Sequence, residues 1–292
     1  MKFFDILISG ILVCSFVTVS TSSRIAPVIQ VQENFAQRIN GTDTRIIGGY
    51  EAKKGQFPYH VRVVAFRGFF DEVRVHRCGG SIVALDWVLT AGHCYVENTD
   101  PYDPITYEIE AGSVVSGEPY QRDRVPYANA YRHPKYDIST LEFDVALLKT
   151  TKKFVLDAYV DVVDMSFAPP SATFIGKTLT VAGFGYITND GPVSPVLKWT
   201  KLTMIPWDEC YPHYTGGIPV TCFCVQDKNP PVHTSCGGDS GGAIVYYVDG
   251  VPKQLGLVSF SNENGCEISP PGYADLTHKE IRDWIIKIML RK

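Results

Sequence analysis

Short apolar runs separated by turn residues constrain this chain more than any other feature. Tyr59–Phe66 alternates apolar and polar residues loosely, and Gly79–Thr90 reads as a hairpin-like run of β-forming residues. Further runs lie at Tyr107–Ala111, Val145–Leu148, Thr178–Ala182, Leu202–Ile205, Ala243–Val248 and Gln254–Phe260. Proline, glycine, asparagine and aspartate break them, and short strands so interrupted point to a sandwich or barrel. The 25 glycines and 19 prolines suit the same turn-rich class. Only the C-terminus differs. Thr277 and Glu280 form a capping-box pattern, and Ile281, Trp284, Ile285 and Ile288 share one helical face. The pattern predicts a terminal helix that docks onto the body through this apolar stripe.

A chain of 292 residues that is 45% hydrophobic can bury a large core, in one double-lobed unit or two domains. Its formal charge of −4 leaves no footprint for nucleic acid, and no basic run is sustained. Lys2, an apolar run from Ile6 to Val19 and the small residues Ser20 to Ser23 together read as a secretory signal peptide over residues 1–20. No later run is apolar enough to span a membrane, so a secreted, extracellular protein is expected. Cys14 leaves with the signal, and seven cysteines remain: Cys78, Cys94, Cys210, Cys222, Cys224, Cys236 and Cys266. In an oxidising compartment these should pair, and their spacings do not match a zinc site. Seven is odd, which leaves one thiol free or intermolecular.

Residues 21–45 show little hydrophobic periodicity and carry one clear glycosylation sequon, Asn40-Gly41-Thr42, which also argues for exposure. Arg45-Ile46-Ile47-Gly48-Gly49 then places a basic residue before an aliphatic pair and two glycines. That reads as a processing site, with 21–45 an activation propeptide and 46–292 the folded domain, although an ordinary linker could have the same composition.

The chemistry concentrates at Cys236-Gly237-Gly238-Asp239-Ser240-Gly241-Gly242. Glycines permit close backbone approaches, so Ser240 can expose its hydroxyl while neighbouring N–H groups point at one spot. Nucleophilic acyl transfer needs that arrangement, but a glycine-rich surface turn would look similar. Two further stretches break the tie. Thr90-Ala91-Gly92-His93-Cys94 closes one strand, and Phe143-Asp144-Val145 sets a carboxylate against another. An imidazole titrating near neutrality can take the serine proton, and a buried carboxylate can orient the imidazole. Either residue alone would pass as structural; the three in sequence order would not.

With these motifs, and with Cys78-Gly79-Gly80-Ser81 and Gly183-Phe184-Gly185, the chain from Arg45 nearly to its end closely resembles the chymotrypsin-like serine endopeptidases. The resemblance implies an all-β fold: two six-stranded antiparallel β-barrels packed face to face, with a C-terminal α-helix. It implies a Ser240 nucleophile, a His93 base, an Asp144 orienting acid and an oxyanion hole at the Gly238 and Ser240 N–H groups, with Ser259 bonding the acid. It implies cleavage after Arg45, a free Ile46 ammonium paired with Asp239, and disulfides Cys78–Cys94, Cys210–Cys224 and Cys236–Cys266. Cys222 is then the odd one, though Cys210–Cys222 stays open. His76 matches a histidine that in some zymogens of the family holds the aspartate before activation.

Specificity by the same resemblance falls to Thr234 at the pocket base, with Ser259, Phe260, Ser261 and Gly272 forming its walls. A buried cation without an acid is costly, so Thr234 predicts an uncharged P1 residue, aromatic or large aliphatic, unless Glu263 or Glu267 reaches in. If Ser261 intrudes further, a small P1 side chain is favoured, as in elastases. Partners expected are protein or peptide substrates, an activating protease and protein inhibitors of proteases. A monomer is expected, with no cofactor, no metal, no nucleic acid and no membrane. A catalytically silent binding homologue is the competing class, and retention of all three triad residues speaks against it. Activity that rises through the imidazole range, roughly pH 6–7, is the expected profile.

Overall fold

A computed structural model describes residues 47, 49–68, 73–99, 104–165, 167, 169–189, 191–227, 233–262 and 264–291. The signal and propeptide readings, with Asn40, Arg45, Ile46 and Glu263, lie outside the described residues.

Strand alternation builds the first sheet. In β1 (His60–Arg67) Val61, Val63 and Ala65 turn inward, and in β4 (Ile105–Ala111) Ile105, Tyr107, Ile109 and Ala111 do the same. Between them come β2 (Val73–Ala84) and β3 (Trp87–Thr90), and after them β5 (Gln121–Pro126), β6 (Ala130–Arg132) and β7 (Ala146–Lys149). The antiparallel order is β5-β4-β1-β2-β3-β7-β6. Asp123 on β5 accepts hydrogen bonds from the N–H and the hydroxyl of Thr151, each at 2.6 Å. Because Thr151 lies just past β7, this carboxylate draws the ends of the sheet together.

The second sheet closes on itself. Its long strands are β8 (Thr178–Gly183), β9 (Lys198–Ile205), β10 (Cys222–Gln226), β11 (Ala243–Val248), β12 (Val251–Phe260) and β13 (Gly272–Asp275). Each pairs antiparallel with two neighbours in the ring β8-β9-β10-β13-β12-β11. Closure removes edge strands, the usual liability of a β-protein. Two-residue pieces, Tyr50–Glu51 and Asp164–Met165, add to β9 and β12. Each sheet thus has six strands of four or more residues, as expected, plus shorter additions.

The helix α1 (Lys279–Met289) buries Ile281, Trp284, Ile285 and Ile288. Its N-terminus departs from the capping-box reading. His278 takes the cap position and donates no capping side-chain bond, while the Thr277 hydroxyl donates to Asp275 and Glu280 pairs with Lys135. Asp275 outcompetes Glu280 because it sits at the end of β13, already fixed two residues from Thr277. No helix among the described residues is long and apolar enough to cross a membrane.

All three expected disulfides form, and Cys222 is free and buried. Between the barrels, the Ser81 hydroxyl of β2 donates to Gln254 Oε1 of β12 at 2.8 Å, and both residues are fully buried. Removing one partner strands the other without water. Ser81→Ala should therefore lower unfolding free energy by about 1–3 kcal/mol, read by urea titration.

Candidate active site

His93 occupies a 3-10 turn, Gly92–Cys94, that follows β3 directly. The Cys78–Cys94 disulfide pins this turn to β2. Asp144 then grips it twice: Oδ1 accepts the His93 backbone N–H at 2.8 Å, and Oδ2 lies 2.8 Å from Nδ1. Ser259 on β12 donates its hydroxyl to the same Oδ2 at 2.6 Å. Three donors around a carboxylate with 0% exposure fix its plane. With Nδ1 committed to Asp144, Nε2 is the nitrogen left for a proton acceptor's task.

Ser240 reaches the same place from the other barrel. Its carbonyl accepts the N–H of Gly79 at 2.8 Å, and Gly79 is the residue after Cys78. One dipeptide of β2 therefore holds the His93 turn by a disulfide and the Ser240 loop by a hydrogen bond. The approach is close enough to need glycine. Gly241 sits at φ +81°, and a Cβ there would run into the Thr90 hydroxyl and the Gly79 carbonyl. Gly238 sits at φ +92°, and its N–H and that of Ser240 have no backbone acceptor among the described residues. Two such amides suit a developing oxyanion.

Asp239, beside Ser240, is fully buried as well. Its Oδ1 accepts the Gly185 N–H at 2.7 Å and its Oδ2 the Cys236 N–H at 2.9 Å. No cationic side chain pairs with it among the described residues. Burial outweighs the two amides and pushes its carboxyl up to about 6. His76 does not join it. Its ring packs edge-on against His93, with centroids 6.2 Å apart, and burial with that neighbour lowers its pKa.

Thr234 is buried, and its N–H bonds the carbonyl of Ile47 at 3.3 Å. That contact brings the start of the folded domain to the loop that carries Asp239. Thr234 faces a hollow of about 60 Å³ whose lining includes Glu267, Asp227, His233, Pro270 and Pro271. Asp227 is engaged with His233 at 2.9 Å, whereas Glu267 is exposed. The walls differ from the sequence reading in one respect. A Cβ on Gly272 would collide with the Phe260 ring, so the space Gly272 leaves is filled by Phe260 and is not an open pocket wall. Ser261 directs its hydroxyl towards the Cys266 sulfur, 3.5 Å away.

Sequence reasoning missed several neighbours of Asp144. The ring of Tyr136 lies against Gly92, and burial raises its phenol to about 12 with Asp144 adding to the effect. Phe143 and Leu141 adopt left-handed conformations, at φ 54° and 59°. Phe143 donates its N–H to the Thr221 hydroxyl at 3.0 Å. No local signal announces a partner 78 residues away.

Comparison with known proteins places these features in context. Residues 46–285 match the family model described as Trypsin. The chain is 31% identical over 252 residues to transmembrane protease serine 9 of Rattus norvegicus, covering 84% of this chain but only 22% of that protein. It is 30% identical over 208 residues to serine protease 1 of Homo sapiens, covering 70% of this chain and 75% of the relative. The structure of HL collagenase at 1.7 Å resolution superposes with a TM-score of 0.68 at 26% identity, covering 84% of this chain and 99% of that one.

Asp239 supplies a test that needs no turnover. Its carboxyl ionises near pH 6 when folded, against an ordinary value of 3.8. Its contribution to stability is therefore complete below about pH 4 and lost as pH rises through 6. For the uncleaved chain that loss is about 3 kcal/mol. Asp239→Asn should remove it, so urea titrations at pH 4, 5 and 6 should show the variant gaining on wild type as pH rises. A difference constant across the window would contradict the assignment.

Proposed function

We propose, since this chain belongs to the trypsin family and is a chymotrypsin-like serine endopeptidase, that it is a secreted protease made as a zymogen and activated by cleavage after Arg45. Ser240 Oγ attacks the scissile carbonyl while His93 Nε2 takes its proton. The tetrahedral oxyanion is received by the Gly238 and Ser240 N–H groups. His93 then returns the proton to the leaving amine, and water repeats the sequence on the acyl-enzyme. Asp144, bonded to Nδ1, holds the ring in place and stabilises the imidazolium.

The observation that carries the reading is the double grip of Asp144 on His93, set beside a Ser240 loop hydrogen-bonded to Gly79. A binding homologue would need neither. Activation fits the surroundings of Asp239. A buried carboxylate without a cation among the described residues is poised to receive the Ile46 ammonium, and losing one partner of such a pair costs roughly 3–5 kcal/mol. Ile47, the next residue, already lies against Thr234 in the same region.

For specificity, an uncharged, buried Thr234 supports hydrolysis after aromatic or large aliphatic residues. Ser261 turns its hydroxyl to the Cys266 sulfur, which favours this reading over an elastase-like one. Basic P1 residues form the second reading, because Glu267 lines the hollow that Thr234 faces.

Initial rates on peptides varied only at P1 (Phe, Leu, Ala, Arg), before and after controlled cleavage following Arg45, test both parts. Activity should appear only on cleavage, with Phe or Leu favoured, and Ser240→Ala should abolish it. Preference for Arg would overturn the specificity reading in favour of Glu267. No turnover from cleanly cleaved protein would overturn the enzymatic one.

A further inference from the structure

Asp144 is held in an unusual backbone. Phe143, just before it, is left-handed, and the Phe143 carbonyl accepts the Val145 N–H at 2.7 Å, so Asp144 is the centre of a three-residue turn. A non-glycine residue pays for a left-handed conformation, and such strain persists only where surrounding contacts over-determine it. Here the contacts come from the second barrel. The Thr221 hydroxyl accepts the Phe143 N–H at 3.0 Å and donates to Glu142 Oε2 at 2.6 Å. Glu142 Oε1 also accepts the Val220 N–H at 2.8 Å. The hydroxyl, the carboxylate and the two amides close a clasp between residues 142–143 and 220–221.

The next residue extends it. Cys222 is buried with its thiol against the hydroxyls of Thr221 and Ser259, and Ser259 is the residue that donates to Asp144 Oδ2. The acid loop is thus reached from residues 220–222 by two routes, through Phe143 and through Ser259. On the far side the Phe143 ring stacks on His133, with centroids 4.7 Å apart and planes at 7°. The titratable groups that face Asp144 are His93, Tyr136 and Cys222.

We propose that Thr221, with Glu142, is a positioning residue for the reaction: it sets the orientation of Asp144, and through it of His93, from the opposite barrel. The proposal rests on the triad reading above. Thr221 touches neither substrate nor reacting atoms. Its hydroxyl accepts from Phe143 and donates to Glu142 at once, and valine can do neither while keeping the same shape.

Thr221→Val is the test, with Thr221→Ser as the conservative rescue and Glu142→Ala as a second variant in the same clasp. In the cleaved enzyme Thr221→Val should lower kcat by about tenfold to a hundredfold with KM unchanged. The acidic limb of its kcat/KM profile should move, because the carboxylate no longer faces the imidazole squarely. Thr221→Ser should restore both, and Glu142→Ala should move both in the direction of Thr221→Val. A readout independent of turnover is the low-field proton resonance of the His93 Nδ1–H bonded to Asp144. It should weaken or shift in Thr221→Val and return in Thr221→Ser. A wild-type enzyme without turnover would sink the functional reading, and the resonance would still decide the clasp. An unchanged resonance in Thr221→Val and Glu142→Ala overturns the proposal. So does equal damage in Thr221→Ser and Thr221→Val at matched melting temperatures.

Discussion

A single backbone hydrogen bond, from the Gly79 N–H to the Ser240 carbonyl, sets the geometry on which the site depends. It fixes where the second barrel's most consequential loop meets the first. The demands it places on sequence radiate outward. Gly241 must lack a side chain because Thr90 and the Gly79 carbonyl occupy the space. Cys78 must be next to Gly79 for the disulfide to Cys94 to bring His93 to the same spot. A shift of one residue in β2 would turn its side chains to the other face and part His93 from Ser240.

Two fully buried carboxylates flank this junction, and their surroundings give them opposite characters. Asp144 accepts three hydrogen bonds, two from His93 and one from Ser259, and is supplied with donors before any substrate arrives. Asp239 has two backbone amides and no cation among the described residues, so desolvation dominates. The same residue type is thus saturated with donors in one place and left with two backbone amides in the other. The difference lies in what folds over each.

How much could be read in advance follows the same division. The apolar strands, the helix stripe and the motif-bearing residues His93, Asp144, Asp239 and Ser240 declare themselves through periodicity or local pattern. The strand Gln121–Pro126 did not, because Gln-Arg-Asp-Arg alternates charges where apolar residues are usual, and its stability comes from pairing with Ile105–Ala111. Cys222–Gln226 was hidden by its cysteines. Gly272 looked like an open wall because its neighbour across the sheet, Phe260, is twelve residues away along the chain. The capping box failed to one stronger competitor, Asp275. The missed strand and the closed wall concern partners distant in sequence, which a one-dimensional pattern cannot weigh, whereas the cap was lost to a residue two positions away.

The disulfides also reveal how the molecule distributes its covalent reinforcement. Cys78–Cys94 lies within the first barrel, and Cys210–Cys224 and Cys236–Cys266 within the second; among the described residues none crosses between them. Cross-links spanning 16, 14 and 30 residues restrict the unfolded chain mainly inside each half, each by roughly 3 kcal/mol in the chain-entropy picture. The seam carrying the chemistry receives no such help. No described disulfide therefore opposes separation of the halves, while each lobe stays cross-linked within itself. Covalent reinforcement belongs to the lobes, and the joint between them relies on packing and hydrogen bonds.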